Sequence, residues 1–294
     1  MSESVGQTQQ GNEPAWFSEA IAEHPEVSSI EVDGVAINCL SWGTPSAKPD
    51  VVLLHGGAAH ARWWEHIAPL LALDRRVIAF DLSGHGDSER RPSYDLNQWA
   101  AEALAVAGLS SEPKPILIGH SLGGVVALQA AIAAGGDLGG IVIVDSPVLS
   151  RTPEENAAAE RRAFGPPRVY PTAEELIARF RPIPDQDSID YIREHVASVS
   201  VREYDGGWGW KFDPMIFAHA PQLPKLGPLA TRSAYIRGER GIVSPDGVRE
   251  IVAGLGGQTA LIEIPDAGHA IMLDQPVALV TGLRAILAEW DLGH

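Results

Sequence analysis

The sequence predicts an α/β fold: a mostly parallel sheet covered by helices on both faces, with a helical segment inserted between two of its strands. Three observations predict it. Short apolar runs recur along the chain, each ending in a loop-like segment. Most of these runs are continuous rather than alternating, as expected of strands buried on both faces. Helical stretches with short joints separate them, the order that builds a parallel sheet.

Taken in order, residues 1–14 are polar and read as a frayed tail. Residues 30–40 alternate about Asp33-Gly34, a dipeptide that favours a hairpin turn. Val51-Val52-Leu53-Leu54 ends at His55-Gly56-Gly57, and Val77-Ile78-Ala79-Phe80 ends at Asp81. Ile116-Leu117-Ile118 ends at Gly119, and Ile141-Val142-Ile143-Val144 ends at Asp145. Ala234-Tyr235-Ile236 precedes Gly238, and Leu261-Ile262-Glu263-Ile264 precedes Pro265. The intervening helical stretches are 61–73, 97–107, 121–134, 245–253 and 277–289. In such a sheet the reactive groups gather at the carboxyl ends of the strands.

The rhythm breaks between Pro147 and about Lys225, a region rich in Pro, Arg, Glu and aromatic residues. Thr172-Ala173-Glu174-Glu175 is a capping box that opens one short helix. A second begins near Ser188 and carries Ile189, Ile192 and Val196 on one face. The expected organisation is a core of residues 15–146 and 226–294 with a helical cap at 147–225.

Bulk properties restrict the function. The chain has 294 residues, 45% apolar and 20% charged, which suits a globular domain. A net charge of −16 argues against a polyanionic partner, because phosphate backbones are bound by clustered Lys and Arg. Cys39 is the sole cysteine, so neither an intrachain disulfide nor a Cys-based zinc site is available, and the ten His lack metal-ligand spacing. No stretch approaches the ~20 apolar residues of a membrane span, and the start is not that of a secretory signal. A cytoplasmic protein without cofactor or membrane partner is expected.

Chemistry concentrates in Gly119-His120-Ser121-Leu122-Gly123-Gly124, directly after an apolar run and directly before a helical one. A serine on a tight strand-to-helix turn is strained and exposed, and flanking glycines keep neighbouring backbones clear of it. Acyl transfer also needs two N–H donors aimed at the oxyanion. Leu122, next after the serine, offers one, and Gly57 of His55-Gly56-Gly57 offers the other. A base is expected late in the chain, and His269, in a Gly-flanked loop at a strand end, fits.

These segments, HGG at 55–57, DLSGHGDS at 81–88, GHSLGG at 119–124 and GHAIMLDQP at 268–276, together resemble the α/β-hydrolase superfamily. The resemblance implies an eight-stranded, mostly parallel sheet, a Ser–His–acid triad and a substrate pocket between core and cap. It also implies an acid in a Gly-x-x-Asp pattern after the strand before the last. Here that stretch reads Gly238-Glu239-Arg240-Gly241, with glycine at the acid's place. Asp145, at the end of the preceding strand, and Glu239, with its longer arm, are the replacements; another residue or a dyad stays open.

A serine rather than a carboxylate at the elbow favours acyl transfer, hence hydrolysis of a carboxylic ester or lactone through an acyl-enzyme. Trp63, Trp208 and Trp210 are the candidate substrate-binding residues and suggest a medium-sized apolar substrate, although such rings also pack a cap onto a core. Two alternatives stand beside this. One is a ligand receptor on the same fold, suggested by the irregular acid loop. The other is a carbon–carbon bond hydrolase, for which Arg62 and Arg240 would have to hold a substrate carboxylate. Asp81 and the turn Gly84-His85-Gly86-Asp87-Ser88 read as structural.

Overall fold

The computed structural model describes residues 13–110, 112–148, 169–217, 223–256 and 258–293. A hairpin opens the sheet: β1 (Glu26–Val32) and β2 (Val35–Trp42) pair antiparallel, with Val32 opposite Val35. Its turn residues Asp33 and Gly34 both adopt positive φ, as a two-residue mirror-image turn requires. There follow β3 (Val51–Leu54), β4 (Val77–Phe80), β5 (Ile116–His120), β6 (Gly140–Val144), β7 (Val201–Tyr204), β8 (Gly207–Trp210), β9 (Ser233–Gly238) and β10 (Ala260–Ile264).

Eight of these strands form one sheet in the order β1-β2-β4-β3-β5-β6-β9-β10. From β4 to β10 every pairing is parallel, and β2 runs antiparallel to both its neighbours. Alternate residues of each buried strand feed two cores. Val51 and Leu53 join the cluster under α1 (Ala15–Ala22), α2 (Ala68–Leu71), α8 (Ile271–Asp274) and α9 (Pro276–Asp291). Val52 and Leu54 join the cluster under α3 (Leu96–Ala107), α4 (Leu122–Ala134) and α7 (Pro245–Gly254). Burial on both faces is why these strands read as unbroken apolar runs.

Register sets the site. Leu54 pairs with Gly119, His120 with Val144, Val144 with Ile236, and Ile264 with Gly238. The segments that follow β3, β5, β6, β9 and β10 therefore emerge side by side along one edge of the sheet.

Three expectations are revised. The helix expected over 61–73 is two pieces, a 3-10 turn at Ala61–Trp64 and α2, because Pro69 near the start of α2 begins a new helix rather than continuing one. Helix α1 has no counterpart among the sequence expectations. The inserted segment holds α5 (Ala173–Ile177) and α6 (Asp190–Val199), but it also holds the antiparallel hairpin of β7 and β8, so its described part is not wholly helical. Residues 149–168 and 218–222 of that segment, and most of the expected tail, lie outside the described residues.

The Thr172 side chain accepts from Glu175 N–H, capping α5, and Ile192 and Val196 of α6 are buried. The hairpin seats on the 84–87 turn: Gly86 N–H donates to Lys211 O, and Asp213 N–H donates to Gly84 O, both at 2.7 Å. Asp81 braces that turn, its carboxylate accepting from Ala61 N, Asp87 N and Asn38 Nδ2 at 2.6–2.8 Å. Among the described residues, no helix is long and apolar enough to cross a membrane.

Candidate active site

Ser121 occupies the bend between β5 and α4 with φ 52° and ψ −117°, a strained conformation for a residue with a side chain. Close packing dictates its neighbours. A Cβ on Gly119 would lie 2.1 Å from Gly123 O, and one on Gly123 would lie 2.5 Å from Leu54 O. Only glycine lets strand and helix meet this tightly.

The structure brings Ser121, His269 and Asp145 together. His269 Nε2 is 3.0 Å from Ser121 Oγ, and His269 Nδ1 is 2.7 Å from Asp145 Oδ2. A carboxylate only accepts hydrogen bonds, so Nδ1 carries the imidazole proton and Nε2 is left to accept from the serine hydroxyl. Asp145 is fully buried at the end of β6, with φ 43°, and its carboxylate also accepts from Gly238 N at 3.3 Å and Ile242 N at 3.0 Å.

Glu239, the other candidate acid, faces solvent and accepts from Asp266 N at 2.8 Å, bracing the loop that leads to His269. Gly241 explains the irregular acid loop. A Cβ there would lie 2.1 Å from Asp145 Oδ1, so the space a side chain would take is already filled by the Asp145 carboxylate.

The candidate oxyanion donors lie beside the serine. A Cβ on Gly56 would sit 3.3 Å from Ser121 Cβ, and one on Gly57 would sit 3.9 Å from Leu122 Cδ2. Leu122 is the first residue of α4, where the N–H has no partner within the helix and the helix dipole favours negative charge. His55 holds this loop to the end of β4: its Nδ1–H donates to Gly56 O at 2.8 Å, and Leu82 N–H donates to its Nε2 at 3.0 Å. Burial pushes the His55 pKa down to about 4, which keeps that ring neutral.

His120, adjoining the serine, turns away from it and donates from Nε2 to His269 O at 2.9 Å. Burial and the nearby His269 hold its pKa well below the ordinary histidine value. The His120 ring lies 4.7 Å from the His269 ring, tilted by 40°.

The three tryptophans separate. Trp63 and Trp210 flank Phe180, with ring centroids 5.7 and 5.9 Å from it, while the Trp208 backbone pairs with Tyr170. Phe217, which the sequence reading did not single out, lies against the oxyanion loop, its ring 3.5 Å from where a Gly57 Cβ would be. Arg62 is paired with Glu65, and Arg240 donates to Asp266 O.

A model of the alpha/beta hydrolase family matches residues 51–281. Among curated proteins, the chain is 26% identical over 272 residues to the esterase Rv0045c of Mycobacterium tuberculosis, covering 90% of this chain and 89% of that protein. It is 32% identical over 135 residues to the monoglyceride lipase of Homo sapiens, covering 42% of this chain and 44% of that one. Among solved structures, an alpha/beta hydrolase from Novosphingobium aromaticivorans superposes with a TM-score of 0.74 at 23% identity, covering 90% of this chain and 98% of that one.

Proposed function

We propose that this chain, which belongs to the alpha/beta hydrolase family, is a serine hydrolase cleaving a carboxylic ester or lactone of a medium-sized apolar substrate. One observation carries the proposal: the unbroken hydrogen-bonded chain from Ser121 Oγ through the His269 imidazole to the Asp145 carboxylate, at 3.0 and 2.7 Å. Ser121 Oγ attacks the carbonyl carbon while His269 Nε2 takes its proton. Asp145 holds the tautomer and stabilises the imidazolium that forms. The oxyanion forms between the N–H groups of Leu122 and Gly57. His269 then returns the proton to the departing alkoxide as the carbon–oxygen bond breaks. Water, deprotonated by the same imidazole, cleaves the acyl-enzyme and restores Ser121.

The name of the Mycobacterium tuberculosis relative, an esterase, supports an ester as the bond cleaved. The aromatic surfaces of Trp63, Phe180 and Trp210, with Phe217 at the oxyanion loop, support an apolar substrate. The receptor reading rested on glycine at position 241, and Asp145 within 2.7 Å of the imidazole takes away that support. The carbon–carbon hydrolase reading needs a cation for a substrate carboxylate, and both Arg62 and Arg240 are engaged elsewhere.

The test is hydrolysis of p-nitrophenyl esters from acetate to decanoate by the wild type and by Ser121→Ala. The expected result is turnover by the wild type and a loss of at least about 10³-fold in the variant. Equal rates for the two proteins would overturn the assignment of Ser121.

A further inference from the structure

The residues on either side of His269 are held by side chains and, at the Ala270 carbonyl, by Leu273 N–H at 2.8 Å, rather than by the sheet. Gly268 N–H donates to Asp274 Oδ2 at 2.6 Å, and His269 O accepts from His120. Ala270 is gripped twice by one residue of the inserted segment. Its N–H donates to Gln186 Oε1 at 2.7 Å, and its carbonyl accepts from Gln186 Nε2 at 3.3 Å. This reciprocal pairing is the one an adjacent strand would make with its backbone. Gln186 Nε2 also donates to Asp274 Oδ2 at 3.0 Å, so one amide closes a ring of contacts around the loop. Glycine at 268 admits it, since a Cβ there would lie 2.8 Å from Gln186 Cδ.

We propose that Gln186 is a positioning residue whose carboxamide fixes the backbone around His269 and thereby sets the imidazole at its contact distance from Ser121. Its catalytic consequence rests on the hydrolytic reading above. The geometry distinguishes Gln186 from a residue that only fastens the inserted segment to the core. Such a residue needs one contact anywhere on the surface beneath it. Gln186 instead spends both polar arms on the residue that follows His269 and on the carboxylate that holds the residue before it.

The variant Gln186→Met keeps length and approximate volume and removes both arms. It is compared with the wild type by hydrogen exchange of the peptides over residues 264–274 and by steady-state hydrolysis of a p-nitrophenyl ester. Loss of the three hydrogen bonds is expected to speed exchange at 268–270 by roughly tenfold or more, with β5 and β6 unchanged. With the imidazole less well placed, kcat is expected to fall roughly 10- to 100-fold while KM stays within about twofold. Gln186→Asn, too short to reach Ala270, should resemble Gln186→Met. Unchanged exchange at 268–270 would overturn the proposal, and so would faster exchange with unchanged kcat. Should the wild type hydrolyse no ester, the hydrolytic reading fails and the exchange arm alone decides whether Gln186 holds the loop.

Discussion

Replacing Gly241 by alanine tests the acid without touching it. The added methyl carbon would lie 2.1 Å from Asp145 Oδ1 and 2.5 Å from Asp145 Cγ, whereas such contacts below 3.0 Å are essentially never found. Gly241 does not adopt positive φ, so alanine suits its backbone and the collision is the whole perturbation. The carboxylate has to withdraw by at least about 0.9 Å to restore an allowed contact. A retreat of that size along the 2.7 Å bond to His269 Nδ1 stretches it to about 3.6 Å, beyond hydrogen-bonding range. Displacing a catalytic contact by about 1 Å costs on the order of 10²-fold, and disabling a triad acid costs on the order of 10⁴-fold. The expected fall in kcat lies between those limits, about 3 to 5.5 kcal/mol on the barrier. It is read from steady-state hydrolysis of p-nitrophenyl butyrate, normalised to the folded fraction by circular dichroism. In an Asp145→Ala background the collision with the carboxylate is gone, so the double variant should match Asp145→Ala within about twofold. A Gly241→Ala enzyme within about threefold of wild-type kcat would refute the reasoning, as would equal losses in both backgrounds.

Other outcomes follow from the same structure. Asp145→Asn should lower kcat by about 10⁴-fold, because the amide turns the imidazole to the wrong tautomer, while Glu239→Gln should stay within about threefold; similar losses in both would return Glu239 to the triad. Gly123→Ala should lower the melting temperature, since its methyl meets Leu54 O at 2.5 Å, and calorimetry showing an unchanged transition would contradict the packing at the elbow. Burial lifts Asp274 from 3.8 to about 6, so between those values the folded chain holds more protons than the unfolded one. Stability relative to Asp274→Asn should therefore fall as the pH rises from about 4 to 6 and level off above; a urea midpoint difference constant with pH would exclude it. Burial, with Asp81 nearby, pushes the Cys39 thiol up to about 12, so iodoacetamide at pH 8 should modify it only after denaturation, as mass spectrometry would report.

Much of the architecture was legible because it is written in local patterns. Four-residue apolar runs mark strands with two buried faces, and Asp33-Gly34 marks a hairpin, since both are properties of neighbours in sequence. The same turn signal stands at Asp205-Gly206, where the β7–β8 hairpin forms, and was readable there too. The segment 119–124 displays the elbow for the same local reason. The acid was not legible in this way. Asp145 and Glu239 were both open because choosing between them requires the order of strands: β6 lies beside β9, which brings a β6 terminus to a loop nearly a hundred residues further on. Gly241 showed a missing side chain but not what fills its volume. Phe217 showed only as one aromatic among several in the inserted segment, and Gln186 had no signal at all, since it matters through a contact with backbone distant in sequence, and backbone contacts leave no pattern in residue type.

The proposed acid at the end of β6 has a consequence for comparing sequences. Any rule that tallies a carboxylate only in the loop after β9 would discard this chain as inert. In this chain positions 145 and 241 share one small volume, so aspartate at 145 demands a residue without bulk at 241.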